Sequence, residues 1–291
     1  MNITHRLSAQ DSAPNSAYQS ARKRLKSAPS FGGLAQQPTR LRGSPATATP
    51  HSPVLEQVDA RPKALMRRYN TLWLSASGDI EDSTRIAPAT PLFEEAFSAL
   101  ARGSVLQTEE GRIAIEDIVP GMRVLTAEGE AVRVMWIGSM MVYSGAVAEG
   151  LDPAKLTRFT ADAMGHGRPM QDVILGPRAR LLLRDQRCAA FTQSPTAYVP
   201  ARSYLDGVSV IEVTPAAPIC VFHLALERHG TLRVGGLEVE SYHPGTGLEA
   251  MMEPRMLSLF KDLFPHVGGL EGFGEAAHQR LTKFEVDQLI G

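Results

Sequence analysis

The stretch Phe97-Ser98-Ala99-Leu100-Ala101-Arg102-Gly103-Ser104-Val105-Leu106-Gln107-Thr108 reads as small residues, then a glycine turn, then a strand. Small side chains before such a turn are how a β domain presents a nucleophile at its mouth. No thiol stands in the stretch, and no histidine lies near the hydroxyls of Ser98 and Ser104 in sequence. Whether this is an active site or the remains of one depends on what lies further along the chain.

Downstream, short apolar or alternating runs recur: RIAIEDI from Arg112, RVLTA from Arg123, AVRVMWIG from Ala131, DVILG from Asp172, ARLLLR from Ala179, VSVIEV from Val208, CVFHLAL from Cys220 and LEVES from Leu237. The breakers VPG, GHGRP, LDG and VGG separate them. Many short strands at this spacing predict an all-β fold of sandwich or barrel type. A domain of roughly 150 residues is large enough to bury about two thirds of its surface.

The flanks differ. Residues 63–90 read as a leading β-hairpin, with strands near 66–75 and 81–87 around the turn Ser77-Gly78-Asp79. Residues 246–291 shift to helical periodicity. In the first of two short helices Met256, Leu259, Phe260 and Leu263 form one stripe, started at Pro254 and stopped at Pro265. The second, over EAAHQRLTKFEVDQL from Glu275, places Leu281, Phe284 and Leu289 on a face. Residues 1–62 are rich in Ser, Pro, Ala, Gln and Thr and bury too little to offset the cost of ordering, which predicts a disordered basic tail. Its acid-poor composition also resembles an organelle transit peptide, but its prolines and glycines interrupt any amphipathic helix.

Charge follows the same division. The 291 residues carry a net −1, yet eleven basic residues stand against three acidic ones up to Asn70, which leaves +8 there and −9 in the rest. A polyanion partner for the whole chain is therefore not expected. The tail alone, through ARKRLK at Ala21–Lys26, offers a weak contact for nucleic acid or an acidic surface, or is simply solvated. Cys188 and Cys220 sit in apolar surroundings and read as free thiols. No apolar run reaches the length of a membrane span, and no Sec-type signal opens the chain. A soluble protein is expected, cytoplasmic or exported without a cleavable leader. The eight histidines show no metal spacing with Cys or carboxylates, so neither metal nor cofactor is expected.

Two stretches are informative together: ALARGSVLQTEEGRIAIEDIVPGMRVLT from Ala99 and VFHLALERHGTLRVGGLEVESYHPG from Val221. In this order they resemble the Hint domain of hedgehog proteins and inteins, and more closely the bacterial Hint-containing proteins, over about residues 91–245. The resemblance implies a horseshoe of short strands that brings its ends around one site. There a Cys or Ser attacks the carbonyl before it, a second nucleophile resolves the ester, and histidines move the protons.

Laid on this sequence, the family pattern is broken. Its Cys falls on Ala99, whose methyl has no lone pair. Its Thr falls on Ser104, and Ser98 comes one residue early, which turns it to the other face. The histidine of the second block falls on Ala179, after Gly176-Pro177-Arg178. Losing such a group costs ~10²–10⁴ in rate. His229 is retained in the third block, though the plain reading of it is a half-buried histidine beside a turn. His223 alternates with Phe222 and Leu224 and is expected at the surface. Glu240-Ser241 stand where inteins end in His-Asn. Arg102 and Arg178 flank the vacated position and are expected to be solvated.

Three functions follow. The first is a Hint-fold protein that does not process itself and serves as a structural or interaction module for a protein partner. The second is an autoproteolytic acyl-transfer module using Ser98 or Ser104 with His229. The third is a tether in which the basic tail binds and the β domain is carried.

Overall fold

The computed structural model describes residues 65–143 and 155–290. The expected basic tail, residues 1–62, lies outside them. Fifteen strands occur in the described residues, and every pairing between them is antiparallel. In chain order they are β1 (Met66–Leu74), β2 (Ile80–Pro88), β3 (Leu100–Ala101), β4 (Val105–Thr108), β5 (Gly111–Ala114), β6 (Arg123–Leu125), β7 (Ala131–Val142), β8 (Leu156–Phe159), β9 (Val173–Leu175), β10 (Arg180–Arg184), β11 (Thr196–Pro200), β12 (Val210–Val213), β13 (Ile219–Leu226), β14 (Thr231–Val234) and β15 (Leu237–Glu240). The chain is thus all-β, as its alternating runs predict.

β7 is the spine. Its first residues pair with β6, its remainder with β13, and Trp136–Met140 also pair with β1 on the other side. A strand with neighbours on both edges and layers on both faces cannot keep a strict polar alternation, so MWIGSMMV is almost wholly apolar. Gly138 is required there for space rather than dihedral freedom. A Cβ on it would lie 2.6 and 2.8 Å from two carbons of the Phe97 ring.

Two apolar clusters fill the sheets. One gathers Leu100, Leu106, Val134, Leu175, Leu181, Phe222 and Leu232. The other is aromatic: Tyr69, Phe93, Phe97, Trp136, Tyr242, Phe260 and Phe264. Trp136 and Phe97 meet edge-on at 5.4 Å, Tyr242 and Phe264 stack at 5.2 Å, and the Trp136 indole N–H donates to the Leu263 carbonyl at 2.8 Å. The leading segment enters this core directly: β1 supplies Tyr69 and Trp73, and helix α1 (Pro91–Glu95) supplies Phe93.

Helix α2 (Pro254–Lys261) starts on Pro254 and buries Phe260, with Met256 and Leu259 packed against the aromatic cluster. The second expected helix is shorter than its periodicity suggests. Only Lys283–Ile290, α3, is helical. Residues 278–281 instead run beside β11, with Tyr198 N–H donating to the Gln279 carbonyl and Leu281 N–H donating to the Tyr198 carbonyl at 2.8 Å each. Thr282 and Glu285 then form a reciprocal capping pair that starts α3. That late start sets the buried face: Val286 and Leu289 join Leu281, while Phe284, expected inside, is 68 % exposed.

Candidate functional site

Both polar groups of the peptide between Ser98 and Ala99 are hydrogen-bonded, and so is the carbonyl of the peptide that follows. Ala99 N–H donates to the Phe222 carbonyl of β13 at 3.0 Å, Gly176 N–H donates to the Ala99 carbonyl at 2.8 Å, and Arg178 N–H donates to the Ser98 carbonyl at 3.1 Å. The turn Gly176–Ala179 therefore lies flat on this peptide. A Cβ on Gly176 would fall 2.6 Å from the Ser98 carbonyl carbon and nearer still to its oxygen. Ala99 and Ala179, far apart in sequence, thus reach one peptide and share one apolar cluster. Ser98 and Ala99 are wholly buried and Ala179 is 3 % exposed.

The two serines go elsewhere. Ser98 Oγ donates to the Glu94 carbonyl at the end of α1, at 2.7 Å. Ser104 Oγ lies 3.5 Å from the Ile174 carbonyl, in a shallow cleft lined also by Arg102, Arg112, Met170 and Gly235. Among the described residues neither hydroxyl has a hydrogen bond to an imidazole. Arg102 is solvated, 59 % exposed and 3.5 Å from Glu116. Arg178 departs from expectation. It is half-buried because its backbone is committed to Ser98, and its Nε is buried without a hydrogen-bond partner among the described residues.

Beyond Ala179 the chain enters an ionic lattice of three half-buried side chains around one buried carboxylate, Glu240. Arg180 reaches Glu95 at 3.1 Å and Glu240 at 3.6 Å; Arg280 reaches Glu240 at 2.8 Å and Glu95 at 3.5 Å. Two carboxylates and two guanidiniums alternate around a ring, which is the arrangement that lets charges be buried. Burial alone would push the Glu240 carboxyl up. The Arg280 guanidinium, with the His229 hydrogen bond and Arg180, overrides it and holds that carboxyl at about 2.

Three histidines border the lattice. His229 Nε2 donates to the Ser241 carbonyl at 3.0 Å, with Glu240 Oε1 at 3.5 Å, and its Nδ1 accepts from Ala277 N–H at 2.9 Å. A neutral imidazole in that tautomer has both nitrogens occupied. His243 is bound the same way, donating to the Gly274 carbonyl and accepting from Gly245 N–H, both at 3.0 Å. His223, expected at the surface, is 3 % exposed. β13 is a central strand, so its polar-looking face is covered by α1 and β15. His223 Nδ1 lies 2.8 Å from the Glu95 carbonyl and Nε2 lies 3.3 Å from that of Glu240. Burial lowers the pKa of His223 and of His243.

His229 is therefore brought to the vacated region through Arg180 and Glu240 and is bonded to neither serine. Sequence reasoning passed over Glu95, Arg180, Arg280 and His243, and took Glu240 only as the place of a missing terminal pair. The signal for Glu240 was present: a carboxylate in LEVES, on a strand otherwise apolar, needs a buried cation. Arg280 was hidden by the helix assigned to its segment. Cys188 and Cys220 are free thiols, and burial pushes Cys220 up to about 11. Among the described residues no three His, Cys, Asp or Glu side chains converge to hold a metal ion, and no helix is long and apolar enough to cross a membrane.

This arrangement, a β fold closing on a peptide just ahead of its first short strand, defines the class of the protein. The Hint domain family model matches residues 98–246, just over half of the chain. The chain belongs to the Hint domain family. The solution structure of a bacterial intein-like domain from Clostridium thermocellum aligns at 15 % identity over 50 % of this chain and 99 % of that one, with a TM-score of 0.35. No curated protein sequence matches.

Proposed function

We propose that this Hint protein does not cut or splice itself, and that it serves as a structural or interaction module for a protein partner. The observation that carries the reading is the sealed peptide between Ser98 and Ala99. An acyl shift at that bond needs a lone pair on the side chain of residue 99, a proton for the departing nitrogen and donors for the tetrahedral oxygen. Only the last has a candidate, the Arg178 N–H on the Ser98 oxygen. Ala99 offers a methyl, and its N–H is spent on Phe222. Ala179 offers a methyl where a proton donor would stand. His229 has both ring nitrogens engaged.

The segment ahead of the bond supports the same reading. Residues 65–98 contribute Tyr69, Trp73, Phe93 and Phe97 to the aromatic core and Glu95 to the ionic lattice. A leaving segment would be a poor place to invest so much of the fold.

The test is the intact mass of purified full-length chain, before and after long incubation with thiol or hydroxylamine. A single species of full mass is expected. A product beginning at Ala99, or accumulation of a fragment ending at Ser98, defeats the proposal.

A further inference from the structure

Two sheets part at the end of β3. Leu100 still pairs with Leu175 of β9, and the chain then leaves through Gly103 to begin β4 in the other sheet. Between the β9 segment and the β4–β5 hairpin this leaves an open cleft of about 150 Å³. Val105, Met170 and Val173 line it with hydrocarbon, and Arg102, Ser104 and Arg112 line it with donors. That volume is below the roughly 300–1,000 Å³ of clefts that enclose a drug-sized ligand. It has room for one side chain with a charge beside it.

The donors are little used by the protein itself. Arg112 is exposed, and its side chain has no hydrogen bond or ion pair among the described residues. Arg102 meets Glu116 through Nε at 3.5 Å, which leaves the two terminal nitrogens of its fork. Ser104 Oγ lies 3.5 Å from the Ile174 carbonyl, too far for a firm O–H···O bond. The acids at the border are already answered. Glu116 accepts from Gly103 N–H at 2.9 Å, and the Asp172 carboxylate accepts from Arg158 Nε at 2.8 Å and from Ala161 N–H at 2.9 Å. Asp172 and Arg158 cancel, so two guanidiniums stand against Glu116 alone.

The backbone adds a second feature. Gly176 N–H donates to the Ala99 carbonyl at 2.8 Å, on the edge of β9 away from β8, and Met170 N–H donates to the Gly235 carbonyl at 3.3 Å. Asp172 and Ile174 alternate in step with these two and turn their backbone groups to the same edge. No backbone hydrogen bond from Asp172 reaches another described residue. An extended chain can pair there, in the line that β3 has left.

We infer that this cleft holds the C-terminal carboxylate of a protein partner whose last residue is apolar. The inference deepens the reading of the chain as an interaction module and rests on it. A carboxylate is planar and matches the guanidinium fork, and Arg102, Arg112 and the Ser104 hydroxyl offer it charge-assisted bonds. The hydrocarbon floor takes the last side chain, and the Asp172 backbone takes the peptide ahead of it, as in strand addition. Inorganic phosphate would use the arginines and leave the floor bare.

The full-length chain is titrated to about 500 µM into a fluorescein-labelled peptide ending in alanyl-valyl-leucine, and fluorescence anisotropy is read. The free-acid peptide binds to saturation. Amidating its C-terminus weakens binding about 10- to 100-fold, the worth of hydrogen bonds to a charged group. Arg112→Gln weakens it about 10-fold and leaves the melting curve in place, since no bond of that side chain to a described residue is lost. Arg85→Gln, which removes an equal charge outside the cleft, leaves binding unchanged. No binding at the highest concentration overturns the inference. So do equal affinities for acid and amide, an Arg112→Gln variant that binds like wild type, or an Arg85→Gln variant weakened as much as Arg112→Gln. Intact mass of the same sample separates the two readings: an uncut chain that fails to bind defeats this inference alone, and a chain cut at residue 99 defeats the earlier one whatever the anisotropy.

Discussion

Replacing Gly176 by Ala should unfold the protein at a markedly lower temperature. The added methyl would sit 2.6 Å from the Ser98 carbonyl carbon and 3.2 Å from Ala99 N. These are backbone atoms, so no flexible side chain can swing aside. Relief requires the 176–179 turn to lift by about 1 Å, which is overpacking of about 1–3 kcal/mol. Lifting it also breaks the bonds from Gly176 N–H at 2.8 Å and Arg178 N–H at 3.1 Å, leaving two wholly buried carbonyls without those donors. An orphaned buried group costs about 1–3 kcal/mol. Partial relaxation shares these costs, and a total near 4 kcal/mol is expected, or a fall in Tm of roughly 8–16 °C. The assay is thermal unfolding of the full chain followed by circular dichroism. Gly268→Ala is the control, because a Cβ there meets nothing within 4 Å. If Gly176→Ala melts within about 2 °C of wild type while the control does the same, the turn is not seated on that peptide and the account of the site is wrong.

Other outcomes follow from the same geometry. Ala99→Cys with Ala179→His returns a lone pair and a proton donor, and thiol-dependent fragments meeting at residue 99 are expected by mass spectrometry; an uncut double variant would place the defect in the scaffold rather than in two side chains. His229→Ala should leave the intact mass of the wild-type chain unchanged yet cost about 2 kcal/mol in urea unfolding, since Ala277 N–H and the Ser241 carbonyl both lose their partner; a new fragment pattern would instead favour a catalytic His229. Glu240, held at about 2 against an ordinary value of 4.5, binds its proton more weakly folded than unfolded. Its stability contribution, of order 3 kcal/mol, is complete above about pH 4.5 and is lost as pH falls towards 2. Glu240→Gln should flatten the difference in melting temperature over that window, and an unchanged slope would count against the buried lattice. His266 stacks on Trp136 and is lowered to about 4 by burial alone, so it favours folding above about pH 6.5 and opposes it progressively below. His266→Phe should therefore stabilise the chain more at pH 5 than at pH 8, as read by paired thermal melts.

The strands were legible because their signals are local. Alternation and glycine turns gave a hairpin at 66–75 and 81–87, against β1 at Met66–Leu74 and β2 at Ile80–Pro88. The convergence of Ala99 and Ala179 needed a family pattern, because nothing in either stretch names the other. The ionic lattice was not legible. Glu95, Arg180, Glu240 and Arg280 come from four separate segments, and a lone charge in a short strand looks the same whether it meets water or a partner. His223 was misplaced for a related reason: alternation tells which residues share a face, and only the tertiary neighbours decide whether that face is wet. Residues 275–282 show the third limit. Their helical composition yielded to the hydrogen bonds offered by the β11 backbone and the His229 ring.

The tie between Arg280 and Glu240 separates what is inherited as a unit from what folds as one. The family match ends at 246, but one of the two guanidiniums on its last buried acid comes from residue 280, and the strand that flanks Trp136 comes from residues 66–74. A gene fragment trimmed to the homologous boundaries would leave Glu240 with Arg180 alone and bare an aromatic wall. The packed unit of this molecule is therefore larger than the stretch that matches the family.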